Sequence, residues 1–138
     1  MKLSLPIILI LAFVCMDLQL SAQEVDSLKY ISLKPALFRE CYLKDKNAFL
    51  IDVREYFEYK KSRIKGAINI PSSGNIDMAA DTLNINQSIY LYCTSGFRAK
   101  KVAVRLADRG FGSVFNLEGG IKRWKEEGLA VEKKRRKG

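Results

Sequence analysis

The chain has 138 residues, with 24 Lys+Arg against 15 Asp+Glu for a net charge of +9, and no histidine. Its 48% hydrophobic and 28% charged residues suit one globular domain and exclude a disordered, collagenous or multi-span membrane chain. The missing histidine excludes a Ser-His-Asp triad, a Cys-His protease pair and a His-containing zinc site. Three cysteines without a C-x-x-C pair speak against structural zinc or an iron–sulfur cluster, and the positive charge calls for an anionic partner.

Lys2 precedes an unbroken apolar run over residues 7–16, and Leu20-Ser21-Ala22 stands before Gln23. Ten apolar residues make about 15 Å of helix, roughly half a bilayer core. A positive start, a short apolar run and a small residue before the cut describe a secretory signal peptide over residues 1–22. A buried first helix is the alternative. Cys15 is the position a lipid anchor would use, but bulky Val14 stands before it, where such sites carry Gly, Ala or Ser. Cleavage removes one lysine and one aspartate and leaves Cys41 and Cys93, which an oxidising compartment can pair if geometry allows.

Residues 23–29 read as a polar linker. Residues 30–32 read as a short strand, with Ser32 as a cap for the next helix and Pro35 in its first turn. Leu33, Leu37 and Cys41 fall on one face of that helix, so Cys41 reads as packing. Residues 48–53 (AFLIDV) form a buried strand, 55–61 one or two helical turns, and 67–70 a strand stopped by Pro71. A short helix is expected around 76–83, then a buried strand over 88–93 (SIYLYC). A helix over 98–109 carries Val102, Ala103 and Leu106 on its apolar face and ends at Gly110. Residues 113–117 form a fifth strand. Gly119-Gly120 turn the chain into a last helix over 121–127, closed by Gly128. Short apolar strands alternating with helices predict a mainly parallel sheet covered on both faces, with the ligand site at the strands' carboxyl ends.

Only the loop Cys93-Thr94-Ser95-Gly96-Phe97-Arg98 combines that position with reactive chemistry. Its backbone N–H groups can turn back on the sulfur, with a helix N-terminus behind them, and such a field favours a thiolate. Gly96 permits the tight curl, and Arg98 brings a charge that can hold an oxyanion. The plainer alternative is a buried cysteine ending a strand before an ordinary turn.

At this point the chain resembles the rhodanese family of single-domain sulfurtransferases, from about Tyr30 to Val131. Leu50-Ile51-Asp52-Val53-Arg54-Glu55 is similar to the family's first signature, and Ile64-Lys65-Gly66-Ala67-Ile68-Asn69-Ile70-Pro71 to its second. Tyr92-Cys93-Thr94-Ser95-Gly96-Phe97-Arg98-Ala99 resembles the active-site loop. Asn116-Leu117-Glu118-Gly119-Gly120-Ile121, with Trp124 and Gly128, resembles the closing signature. The resemblance implies a rhodanese-like α/β domain over 30–131, with a five-stranded, mainly parallel sheet flanked by helices on both faces. It implies that Cys93 is the catalytic residue and becomes a persulfide, with Thr94, Ser95, Gly96, Phe97 and Arg98 binding the substrate. The donor is then a small sulfur-containing anion or a persulfide, and the acceptor a thiol, a protein thiol or cyanide. No metal or organic cofactor is required.

Two departures from the family pattern stand out. Ser62-Arg63-Ile64-Lys65-Gly66 replaces the frequent Gly-His-Ile-Pro-Gly, and Thr94 replaces a frequently basic residue, which weakens the case for thiosulfate. A non-catalytic binding module on the same fold is the alternative. A phosphatase is a further one, but cell-cycle dual-specificity phosphatases place five residues between cysteine and arginine, whereas four separate Cys93 from Arg98.

Asp52 and Arg54, at the end of a buried strand, are expected to pair and brace neighbouring loops, because buried charges need partners. Glu55 favours the start of the next helix. Trp124 and Phe115 read as core aromatics, and Phe97 can line the substrate entrance and suit a protein thiol. The basic tail, residues 132–138, contains the run Lys133-Lys134-Arg135-Arg136-Lys137. Such a block is solvated and can touch an anionic membrane surface weakly, while an exported chain has no nucleic-acid partner.

Overall fold

Runs rich in Ile, Leu, Val and aromatic residues pair into one sheet in the computed structural model, which describes residues 29–133. The expected signal peptide, Cys15, all of the 23–29 linker but Lys29, and residues 134–138 of the basic tail lie outside the described residues. In chain order the elements are β1 (Ile31–Leu33), α1 (Pro35–Lys44), β2 (Ala48–Asp52), α2 (Tyr56–Lys61), β3 (Ser62–Arg63), β4 (Ile68–Asn69) and α3 (Ile76–Asp81). They continue with β5 (Ser88–Tyr92), α4 (Phe97–Asp108), β6 (Val114–Leu117), α5 (Gly120–Glu126) and β7 (Glu132–Lys133).

The main sheet has the order β1-β6-β5-β2-β4, and every neighbouring pair in it is parallel. Successive side chains on a strand point to opposite faces. On the β5 side Ile89, Leu91 and Cys93 therefore join one core with Ile76 and Ala80 of α3 and Val102 and Leu106 of α4. Tyr90 and Tyr92 join the other core with Phe38 of α1 and Ile121 and Trp124 of α5. The sheet thus carries helices on both faces, the α/β architecture that the alternation of elements predicts. Trp124 and Phe115 pack in this second core. The Trp124 indole N–H donates to the Ala130 carbonyl at 3.0 Å, and Phe115 stacks on Tyr90 with centroids 4.6 Å apart.

Three local expectations change. Ser32 lies within β1 and its Oγ accepts from Asn116 Nδ2 at 3.0 Å, so it does not cap α1. The N-cap is Lys34, which has no side-chain cap bond, and Pro35 opens the helix. The buried residues of α1 are Pro35 and Phe38, whereas Leu37 is 48% exposed. Cys41 is only partly buried against the same core as Phe38. Lastly, Glu132 and Lys133 pair antiparallel with Arg63 and Ser62, so regular structure runs two residues into the segment expected to be tail. Lys29, expected in a linker, pairs with Asp108 at 3.0 Å.

Candidate active site

The end of the middle strand fixes the reactive loop. Cys93 follows β5 directly, and Gly96 takes φ +95°, in the left-handed region, to curl the chain into α4 at Phe97. In that curl the Gly96 N–H points back and donates to Cys93 Sγ at 3.1 Å. The sulfur is therefore held as an acceptor, beside the end of a 12-residue helix whose dipole also favours negative charge. Cys93 is 1% exposed.

A second helix start braces the loop from the other side. Ile121 N–H donates to the Cys93 carbonyl at 2.9 Å and Lys122 N–H to the Thr94 carbonyl at 3.1 Å. Gly120 makes this approach possible. It has φ +63°, and a Cβ there would lie 2.4 Å from the Thr94 carbonyl oxygen and 2.5 Å from that of Cys93. Gly120→Ala is expected to cost about 1–3 kcal/mol in backbone strain and to push the loop off its position. A lowered denaturation midpoint together with a lowered transfer rate is the expected reading. An alanine variant equal to the parent in both would show that the loop does not depend on this contact.

Arg98 does not stand open to an oxyanion. Its Nη1 donates to Glu58 Oε2 at 2.9 Å and its Nη2 to Glu58 Oε1 at 3.0 Å. Thr94 closes the triangle: its hydroxyl donates to Glu58 Oε1 at 2.9 Å and accepts from Arg98 Nη2 at 3.1 Å. Glu58 belongs to α2, where it also forms a reciprocal capping box with Glu55. The Glu55–Glu58 spacing carries the signal for the cap, but nothing local marks a partner 40 positions away. Sequence reasoning therefore misses Glu58.

Hydrogen bonding from Arg98, and then from Thr94 and the Glu55 backbone, holds the Glu58 carboxyl down at about 2, against the opposing effect of burial. A depressed carboxylate contributes stability that is complete above its ordinary value of about 4.5 and is lost as pH falls through about 2. Glu58→Gln is accordingly less stable at pH 7 and loses less on going from about pH 4.5 to about pH 2. Urea midpoints across that range measure both effects, and parallel curves for parent and variant would contradict the coupling.

Behind the loop, Asp52 and Arg54 form a buried ion pair. Arg54 Nη2 donates to Asp52 Oδ2 at 2.7 Å and to the Ser62 carbonyl at 2.6 Å. The pair thereby ties the end of β2 to β3. Of the other loop residues, Thr94 and Ser95 are exposed, and Phe97 is 64% exposed with Lys101 Nζ 4.5 Å from its ring centroid. The two described cysteines are free thiols on opposite faces of the sheet, which keeps them unpaired in this fold.

A family model, the rhodanese-like domain, matches residues 40–127. The chain belongs to the rhodanese-like domain family. The chain is 35% identical over 104 residues to the putative sulfur carrier protein YrkF of Bacillus subtilis, a match that covers 75% of this chain and 55% of that protein. It is 37% identical over 84 residues to the tRNA uridine(34) hydroxylase of Hamiltonella defensa, covering 57% of this chain and 24% of that one. The rhodanese-like domain thus spans about half of the first relative and a quarter of the second. Among solved structures, a rhodanese-related protein from Thermoplasma volcanium superposes with TM-score 0.66 at 32% identity, covering 75% of this chain and 98% of that one. A rhodanese-like domain protein from Staphylococcus aureus superposes with TM-score 0.64 at 29% identity, covering 74% and 98%.

In this rhodanese-like domain an open cleft of about 570 Å³ adjoins the Cys93 loop, reaching it at Thr94. The cleft is walled by α2 on one side and α5 on the other, the two helices that hold Glu58 and brace the loop.

Proposed function

We propose that the protein is a sulfurtransferase or persulfide carrier working through Cys93. The observation that carries this reading is the Gly96 N–H aimed at Cys93 Sγ, in a loop curled onto the start of α4. In the first step the Cys93 thiolate attacks the outer sulfur of a donor such as thiosulfate. An S–S bond forms, the donor's S–S bond breaks, and sulfite leaves with the electron pair. In the second step an acceptor thiolate attacks the outer sulfur of the Cys93 persulfide and leaves with it, regenerating the Cys93 thiolate. Neither step needs a histidine, because the nucleophile works as an anion within its hydrogen-bonded loop. Cyanide would accept the same sulfur as thiocyanate.

Arg98 serves an anionic donor only by releasing part of its hold on Glu58. That ranks dianionic thiosulfate below a persulfide donor, in line with Thr94 standing where a basic residue is frequent. Intact-mass measurement after incubation with a donor tests the reading. A persulfide adds about 32 Da, and peptide mapping should place it on Cys93. A protein that binds donor but never gains this mass is a binding module.

The reading includes export, supported by Lys2, the apolar run over residues 7–16 and the small residues before Gln23. Protein recovered from the cell envelope should begin near Gln23, and an intact Met1 in a soluble cytoplasmic fraction would overturn this. The basic tail would then lie where it can touch an anionic membrane surface weakly.

A further inference from the structure

The cleft between α2 and α5 holds more positive charge than the fold neutralises. Glu58, which lines it, is paired with Arg98 and Thr94. Lys61, Lys122 and Lys125 line it as well, and none of them has a carboxylate within ion-pair distance among the described residues. Among those residues, Glu126 is the one lining carboxylate left against the three lysines. Lys125 donates from Nζ to Ser62 Oγ at 2.9 Å, which fixes the ammonium in the cleft wall. Burial first, and then the charges of Arg54, Lys133 and Lys61, push the Lys125 ammonium below its ordinary value. A bound polyanion would relieve that crowding of cations.

Arg54 adds a donor that the fold does not use. It is 4% exposed and still lines the cleft. Its Nε bonds to Asp52, and its Nη2 to Asp52 and the Ser62 carbonyl. Nη1 has no acceptor among the described residues. The guanidinium is a rigid fork, so bonds that hold Nε and Nη2 also fix the place of Nη1. Donors on buried side chains are normally satisfied, and this one needs an acceptor that the chain does not supply. The three lysines are exposed and stand at the rim, whereas Arg54 and Ser62 are buried and lie at the inner end.

Size and position narrow the ligand. A cleft of about 570 Å³ falls in the range of roughly 300–1,000 Å³ that small-molecule sites occupy. Ile121, which lines it, belongs to the core on the α1 and α5 face of the sheet, whereas the Cys93 side chain packs on the α3 and α4 face. We infer that the cleft is a second ligand site, apart from the cysteine, for a small polyanion with two or more carboxylate or phosphate groups. One anionic group bonds to Arg54 Nη1, and the others lie against Lys61, Lys122 and Lys125. The site does not rest on the sulfur-transfer reading above.

Calorimetric titration at low ionic strength tests it. Citrate and pyrophosphate are the probes, and acetate is the singly charged control. At least one polyanion should bind with Kd below about 1 mM, with acetate too weak to measure. The tighter of the two tells a polycarboxylate site from a phosphate site. The double variant Lys61→Gln/Lys122→Gln, whose side chains make no hydrogen bond or ion pair among the described residues, should bind about tenfold more weakly. Lys46→Gln/Lys100→Gln removes the same charge outside the cleft and should change the affinity less than about twofold. The bound polyanion should also move the guanidinium N–H signals of Arg54 and the amide signals of α2 and α5. Absence of binding by both polyanions, or equal losses in the two double variants, overturns the site. Signals that move elsewhere while those of Arg54 stay in place overturn it too.

Discussion

Serine in place of Cys93 should leave a folded protein that transfers no sulfane sulfur. The hydroxyl is close to the thiol in size and can accept the same Gly96 N–H bond that now reaches Sγ at 3.1 Å. The core around residue 93 is therefore kept, and the melting temperature should move little. The chemistry is lost, because a hydroxyl does not ionise near neutral pH and forms no persulfide. Removing a covalent nucleophile should lower the rate by about 10³-fold or more. Thiosulfate-to-cyanide transfer, followed beside a melting curve, checks both halves. Most of the activity surviving in Cys93→Ser would remove the cysteine from the mechanism. Cys41→Ser is the matched control, since Cys41 sits on the other face of the sheet and pays at most a packing penalty.

The largest effect on stability is expected at Arg54. Asp52 is 0% exposed and Arg54 is 4% exposed. The carboxylate accepts from Arg54 Nε at 3.0 and 3.1 Å and from Nη2 at 2.7 Å, and the Arg54 backbone N–H supplies a further bond at 2.9 Å. Arg54→Leu leaves a buried carboxylate without its guanidinium partner and strips the Ser62 carbonyl of its donor. Breaking a buried pair from one side costs about 3–5 kcal/mol. For a domain of this size that corresponds to a fall in melting temperature of well over about 10 °C. The double replacement Asp52→Leu/Arg54→Leu should recover part of the loss, because no lone charge then remains. Urea denaturation of the three proteins measures the cycle. A single variant as stable as the parent would mean that the pair contributes nothing to holding β2 against β3.

The sheet and its site were legible wherever the signal was local. The apolar runs at 48–53 and 88–93 read as strands because their length and flanks admit little else, and Gly96 and Gly110 mark the limits of α4. The phase of α1 was not legible. Leu37 and Phe38 are adjacent apolar residues, and which of them turns inward depends on where the sheet lies, a tertiary fact. The pairing of β3 with β7 was equally hidden, since two-residue strands show no period. At the site, the cysteine, the glycines and the helix start could be read from one short segment. The Glu58 carboxylate could not, because its contact with Arg98 is set by the packing of α2 against the loop.

Cys93 hangs from the strand that is third of five, with β2 bonded along one side of β5 and β6 along the other. Amides in such a strand exchange with deuterium only when most of the domain opens, whereas edge elements such as β1 and β4 can fray alone. Breathing of the fold therefore does not bare the sulfur, and access runs only through the mouth of its own loop. Reagents should sort by bulk rather than by reactivity. A compact oxidant or alkylating agent modifies Cys93 at a rate indifferent to mild denaturant, while a bulky maleimide waits for global unfolding and accelerates with urea as the stability falls. The resting protein is in this sense sheltered from adventitious large electrophiles by topology alone.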